Sequence, residues 1–159
     1  MRVTTRTRYA IRALYHLAFH RPGAAAQAKE IAEVQKIPLR FLEQILQDLR
    51  RAGLVEARRG PRGGYALARP PAEITLADVL RAVRGPLEEL LGVDVDGHGD
   101  GSTRRGAASP FDDVPAQVWG EIGGRLIGVL EQATLADFVT RAEAAGVRRT
   151  GGPATMYFI

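Results

Sequence analysis

The chain has 159 residues, 45% of them hydrophobic, enough for one ordinary domain or a small domain with an appendage, and not the makeup of a disordered polyelectrolyte. It has no cysteine, which excludes disulfides, thiolate metal sites, cysteine nucleophiles and cysteine-held iron–sulfur clusters. The formal net charge of +4 conceals an asymmetry: residues 1–84 carry 16 Lys/Arg against 7 Asp/Glu and residues 85–159 carry 6 against 11, so a basic half suited to a polyanion adjoins an acidic one.

The opening "MRVTTRTRYAIRAL" is basic but runs straight into an amphipathic pattern without an apolar signal core, so no secretory signal and a cytoplasmic location are expected. No run of ~18 apolar residues predicts a membrane span. From Thr5 to His20, the residues Ile11, Leu14, Tyr15 and Ala18 fall at i, i+3, i+4 and i+7, a helix stripe that Thr4 or Thr5 caps and Arg21-Pro22-Gly23 ends. His16 and His20 lie one turn apart, but no third ligand is near in sequence, so they are expected on a plain helix surface rather than on zinc. A short second helix is expected around Ala28–Gln35 with Ile31, Ala32 and Val34 inward. Pro38 suits the first turn of a third helix, Pro38–Ala52, which buries Leu42, Ile45, Leu46 and Leu49 and closes at Gly53.

After Gly53, "LVEARR" and "GYALA" read as two strands, and Pro70-Pro71 stops the second. Thr75-Leu-Ala-Asp78 opens a helix to about Val83. The same four letters at Thr134–Asp137 open a last helix, about Leu135–Ala145, with Asp standing in for the Glu of a capping box in both. Residues 92–110 are rich in Gly, Asp and Ser without periodicity and read as a loop. Asp94, Asp96, His98 and Asp100 alternate like the start of a calcium loop, yet Arg105 stands where its closing Glu is required, so a solvated linker is expected. From Asp112 or Asp113 to Gln132, a narrow seam of Val118, Ile122, Leu126, Val129 and Ala133 predicts a helix–helix contact. Gly120, Gly123, Gly124 and Gly128 lie in that helix at ~1 kcal/mol each relative to alanine. Close approach of a second helix, room for a small effector and compositional drift all remain as readings. The apolar end "ATMYFI" is expected to dock on the domain or on a partner subunit.

Three helices followed by a hairpin is the order of a winged helix-turn-helix, in which the third helix enters a DNA major groove. With its apolar stripe buried, that helix exposes Arg40, Glu43, Gln44, Gln47, Asp48, Arg50 and Arg51. Arg40, Glu43 and Gln44 occupy the end that reaches base edges, where Arg pairs with guanine, Gln with adenine and Glu with the cytosine amino group. Arg50 and Arg51, farther along, suit phosphates. The hairpin tip "RRGPRGGYAL", Arg58 to Leu67, combines a glycine turn with Arg58, Arg59 and Arg62, placed to enter a minor groove or meet phosphates. A nucleotide-binding loop is excluded by context, because a strand-like run, not a helix, follows Gly63-Gly64.

The runs "RVTTRTRYAIRAL" and "KEIAEVQKIPLRFLEQILQDLRRAGLVEARRGPRGGYALARPPAEITLADVLRAV", with the later "LEQATLADF", resemble the Rrf-two family of bacterial transcription regulators, closely over residues 1–84 and more loosely over 114–140. The resemblance implies a homodimer whose long C-terminal helix crosses its twin, through Val118, Trp119, Ile122, Leu126, Val129 and Leu130 here. It also implies DNA contacts from Arg40, Phe41, Glu43 and Gln44 and from Arg59 in the wing, with Arg2 and Arg6 near the backbone. Phe41 replaces a frequent tyrosine, so a phosphate bond from that hydroxyl is gone. Lys36 stands where the family often has glycine, at ~1–2 kcal/mol of strain if left-handed. Many members hold an iron–sulfur cluster on three cysteines; this chain has none and by resemblance groups with the non-cluster members, some of which respond to a partner enzyme or a small molecule.

The expected architecture is therefore mainly α: a winged helix-turn-helix over residues 1–84, a linker over 85–111, and a dimerisation helix, final helix and tail over 112–159. The expected function is that of a homodimeric, sequence-specific regulator of double-stranded DNA, a repressor without a cofactor, open to a small-molecule or protein effector. The competing class is a winged helix that uses the same basic surface for an acidic protein partner. No arrangement of acid, base or nucleophile supports an enzyme.

Overall fold

The computed structural model describes residues 4–91 and 110–150. Helix α1 (Thr5–Tyr15) is capped by the Thr4 hydroxyl, which accepts from the Thr7 N–H at 3.3 Å. It runs directly into a π-helical turn, His16–His20. Helices α2 (Ala28–Gln35) and α3 (Leu39–Arg51) follow, then strands β1 (Val55–Arg58) and β2 (Gly64–Leu67). A single 3-10 turn at Pro71–Glu73 leads to α4 (Leu76–Arg84), α5 (Leu87–Leu91), α6 (Pro110–Gln132) and α7 (Leu135–Ala144). Three helices and a hairpin in this order form a winged helix-turn-helix.

The core forms where the periodicity placed it. Leu42, Ile45, Leu46 and Leu49 of α3 are fully buried with Leu14, Leu17, Ile31, Leu54 and Ile74. Burying each such side chain contributes roughly 1.5–3 kcal/mol, and this shared core fixes α3 against α1 and α2. The turn between α2 and α3 is held from α1, where Arg12 donates to the Gln35 carbonyl and, at 3.5 Å, to its side-chain oxygen. Lys36 ends α2 in the left-handed region, φ 52° and ψ 50°.

β1 and β2 pair antiparallel from Val55↔Leu67 to Arg58↔Gly64. Ala26 adds an isolated antiparallel bridge to β2, exchanging N–H···O bonds of 2.9 and 2.8 Å with Tyr65. This close approach explains Gly64: at φ +146°, a Cβ there would lie 2.3 Å from the Ala26 carbonyl oxygen. A Cβ on Gly63 would lie 2.3 Å from the Arg58 carbonyl oxygen.

A second, smaller cluster joins α4, α5 and α6 through Ala77, Leu80, Leu87 and Ile127, flanked by Leu91 and Leu130. Arg81 spans the same three helices, donating to Glu88 at 2.8 Å and to Glu131 at 3.1 Å.

Three expectations need correction. The interval assigned to a linker begins with a helix, α5, because Leu87 has the Ala77 cluster to bury against. Val34 is exposed, since Ile31, Ala32 and Gln35 fill the inward face of the short α2. His16 and His20 are not on a helix surface but buried: His16 is turned inward, 3.4 Å from Glu30 of α2, and the segment after α7 folds back over His20, where the Thr150 N–H donates to Nδ1 at 2.8 Å and the Arg149 guanidinium stacks 5.2 Å from the Phe19 ring centre. The Asp94–Asp100 loop and the "ATMYFI" end lie outside the described residues.

Candidate nucleic-acid interface

Helix α3 presents its buried stripe to the core and an uninterrupted polar face to solvent. At 100° per residue, Arg40, Gln44, Gln47 and Arg51 lie opposite the stripe, and all four are exposed. Glu43 and Arg50 are exposed on one flank, Phe41 on the other. The first turn of α3 begins at Pro38 and has no side-chain cap, nor does α2 at Gln27. Their leading N–H groups are thus open to an anion on the surface that also carries the basic side chains.

The wing stands beside this helix. Between them lies a cleft of about 380 Å³, walled by Gln27 and Lys29 at the start of α2, Leu39 and Glu43 of α3, and Arg58, Gly60 and Gly63 of the hairpin. The structure thus brings the first two turns of α3 and the arginine-bearing tip to one surface. Arg59 and Arg62 are exposed at the tip, with no ion pair among the described residues. Arg58 differs from them: it pairs with Glu56 at 2.9 Å and donates to the Gly23 carbonyl at 3.0 Å, so it braces the wing against the turn after the π-helix.

Arg6 is also engaged. It pairs with Asp48 of α3, which Arg51 approaches at 3.5 Å. Its guanidinium therefore steadies α3 and partly neutralises the one carboxylate on that side of the helix. Arg2 lies outside the described residues. The pattern could not reveal these brace roles, because Asp48 and the Gly23 carbonyl are remote in sequence from their partners. Arg12, which fixes the helix-turn-helix corner, carries no local signal for the same reason.

The residues expected at a dimer contact divide between two faces of α6. Val118, Trp119, Ile122, Leu126 and Val129 are 44–65% exposed in the single chain. Leu130 instead packs half-buried on the α4–α5 cluster with Ile127. Gly120, Gly124 and Gly128 occupy a third flank, roughly 160° around from the Val118–Ile122–Leu126 stripe, and a Cβ on any of them meets nothing within 4 Å.

Behind the interface lies a buried polar cluster. His16 is fully buried, with Nε2 3.4 Å from Glu30 of α2, and Arg21 grips the same carboxylate at 2.6 Å. The His16 and His20 rings lie 5.0 Å apart. Burial pushes the pKa of both imidazoles down, His16 further lowered by His20, and His20 by Arg149 and Arg21; Glu30 opposes both shifts.

The family model for Rrf2, an iron-dependent transcriptional regulator, matches residues 3–141. A Mycobacterium tuberculosis protein described as an HTH-type transcriptional regulator, Rv1287, is 39% identical over 137 residues, covering 86% of this chain and 80% of the relative. The HTH-type transcriptional regulator IscR of Cereibacter sphaeroides is 35% identical over 141 residues, 87% of each chain. Among solved structures, T. potens IscR superimposes with a TM-score of 0.70 at 31% identity, covering 94% of both chains. CymR, the global cysteine regulator of B. subtilis, gives 0.68 at 28% identity, covering 89% of this chain and 98% of CymR. The residues present do not fit a cysteine-held iron cluster: the chain has no cysteine, and among the described residues no group of three or more His, Cys, Asp or Glu is placed to hold a metal.

Proposed function

As the chain belongs to the Rrf2 family of DNA-binding transcription regulators, we propose that it acts in the cytoplasm as a homodimeric, sequence-specific repressor that works without an iron–sulfur cluster. The observation that carries this reading is the shared surface of α3 and the wing: Leu39 and Glu43 wall one cleft with Gly60 and Gly63 of the hairpin tip, and exposed Arg40 and Gln44 flank Glu43 on α3 as exposed Arg59 and Arg62 flank those glycines in the chain. Arg40, Glu43 and Gln44 supply the side-chain chemistry that distinguishes base pairs in a major groove. Arg59 and Arg62 follow the backbone or enter the adjacent minor groove. The open N-termini of α2 and α3, with Lys29, add phosphate contacts that set orientation.

Dimerisation is supported by the apolar stripe of α6, since five large side chains half in water on one helix form the kind of patch that marks an interface. Two copies would set two recognition helices into half-sites one helical turn or more apart. Leu130, packed within its own chain, is left out of this contact. Repression follows from a dimer occupying the site a polymerase needs, and any effector acts by changing the population of the DNA-competent dimer.

The test is a gel shift of the purified full chain on the duplex upstream of its own gene, with sedimentation to give the stoichiometry. Two chains per retarded duplex, and retention of that duplex over random competitor, are expected. A monomer with no preference overturns the proposal.

A further inference from the structure

Phe41 is the exposed aromatic side chain of α3. It is 56% accessible, it belongs to neither hydrophobic cluster of the described residues, and it does not line the cleft beside the wing. Leu39, two residues earlier, is less exposed and forms part of that cleft wall with Glu43. Four other apolar side chains of α3 are fully buried, so the helix does not need Phe41 to fold.

On the helix wheel Phe41 sits beside Gln44, three residues on, an axial separation of about 4.5 Å. Stacked base pairs in B-DNA repeat at about 3.4 Å, so two side chains so spaced meet the same or adjacent base pairs. Gln pairs bidentately with adenine N6 and N7. The apolar group that a major groove offers next to such a contact is the 5-methyl of thymine, and an aromatic face is one of the surfaces that recognises it.

Resting on the proposed DNA reading, we infer that Phe41 is a specificity-determining residue that reads a thymine methyl on the base pair at or next to the one contacted by Gln44. Its ring removes the methyl from water, and the methyl covers part of the ring. Without a hydroxyl, Phe41 contributes nothing to a phosphate, so its effect falls on one base position and leaves general affinity alone.

The test uses a duplex selected from a random-sequence library by the wild-type full chain. Each thymine is replaced singly by deoxyuridine, which removes the methyl and keeps the pairing. Binding is measured for wild type and for Phe41→Ala, whose fold is checked by its melting curve. At one thymine per half-site, deoxyuridine is expected to weaken wild-type binding about threefold to tenfold. Phe41→Ala is expected to lose a similar factor on the thymine duplex and to bind both duplexes alike, while Phe41→Leu keeps part of the discrimination. The inference is overturned if wild type binds every deoxyuridine duplex as well as its parent, or if Phe41→Ala still discriminates. If selection yields no preferred duplex at all, the DNA reading itself fails and this inference falls with it.

Discussion

Thr75 and Thr134 face each other across an antiparallel bridge, with Leu76 N–H donating to the Ala133 carbonyl and Leu135 N–H to the Ile74 carbonyl, both at 2.8 Å. The two Thr-Leu-Ala-Asp segments thus start α4 and α7 side by side and pin the end of α6 to the DNA-binding domain. The Thr75 hydroxyl accepts from Asp78 N–H at 3.1 Å while the Asp78 carboxylate accepts from Thr75 N–H at 3.0 Å. The Asp137 carboxylate accepts from both the N–H and the hydroxyl of Thr134. Thr75→Ala is expected to cost about 1 kcal/mol, read as a lower urea midpoint with an unchanged slope. An unchanged midpoint would show that the bridge alone holds the junction.

The buried imidazoles predict a pH dependence. His16 and His20 have pKa values below the ordinary 6.5 when folded, so the unfolded chain binds more protons than the folded chain just below that value. Their neutral burial is fully compatible with folding above pH 6.5, and stability falls as pH drops through and below it, until the folded-state groups also titrate. Urea midpoints at about pH 7.5 and about pH 5 should show the loss, and His20→Gln should narrow the gap. A midpoint that rises on acidification contradicts the assignment.

Lys36 holds a left-handed conformation that glycine adopts at no steric cost. Lys36→Gly is expected to raise stability by about 0.5–1 kcal/mol, the gain in the folded turn being partly offset by the freer unfolded chain. Thermal melting at constant pH checks it, and a lower melting temperature would mean that the lysine side chain contributes to the corner.

Much of this was legible in the sequence. The α3 core stripe follows from spacing within one helix, and the wing turn from three glycines, so both survive without knowledge of the tertiary fold. The Thr-Leu-Ala-Asp segments were readable as caps, but their pairing was not, because a bridge between remote segments leaves no local pattern. The burial of His20 was hidden for a related reason: Arg149 and Thr150, which fold back over Phe19 and His20, lie far along the chain. Arg58 and Arg59 are adjacent in sequence, yet among the described residues only Arg58 has a carbonyl and a carboxylate to brace against.

That difference predicts separate outcomes in the wing. Arg59→Ala should weaken specific DNA binding and reduce the salt slope by roughly 1 per subunit, with melting unchanged. Arg58→Ala should also lower stability, by about 0.5–1.5 kcal/mol. Identical effects of the two substitutions on stability would contradict the brace role.

On α6, Gly124→Ala meets nothing in its own chain, so helix propensity alone is expected to add roughly 1 kcal/mol of stability. Ile122→Glu, on the exposed stripe, should dissociate the proposed dimer, visible as a halved mass in sedimentation. A more stable Gly124→Ala chain that still dimerises and regulates excludes both functional readings of the glycines; one that no longer dimerises shows that they lie against the partner.

A single DNA-reading surface made of α3 and the wing can be measured by anisotropy of the full chain on a selected and a random duplex across a salt series. Log affinity is expected to fall linearly with log salt for both, with a slope of about 0.9 per phosphate neutralised. The preference for the selected duplex should persist at high salt and shrink in Arg40→Ala and Gln44→Ala. Equal affinity for the two duplexes at every salt concentration would contradict it.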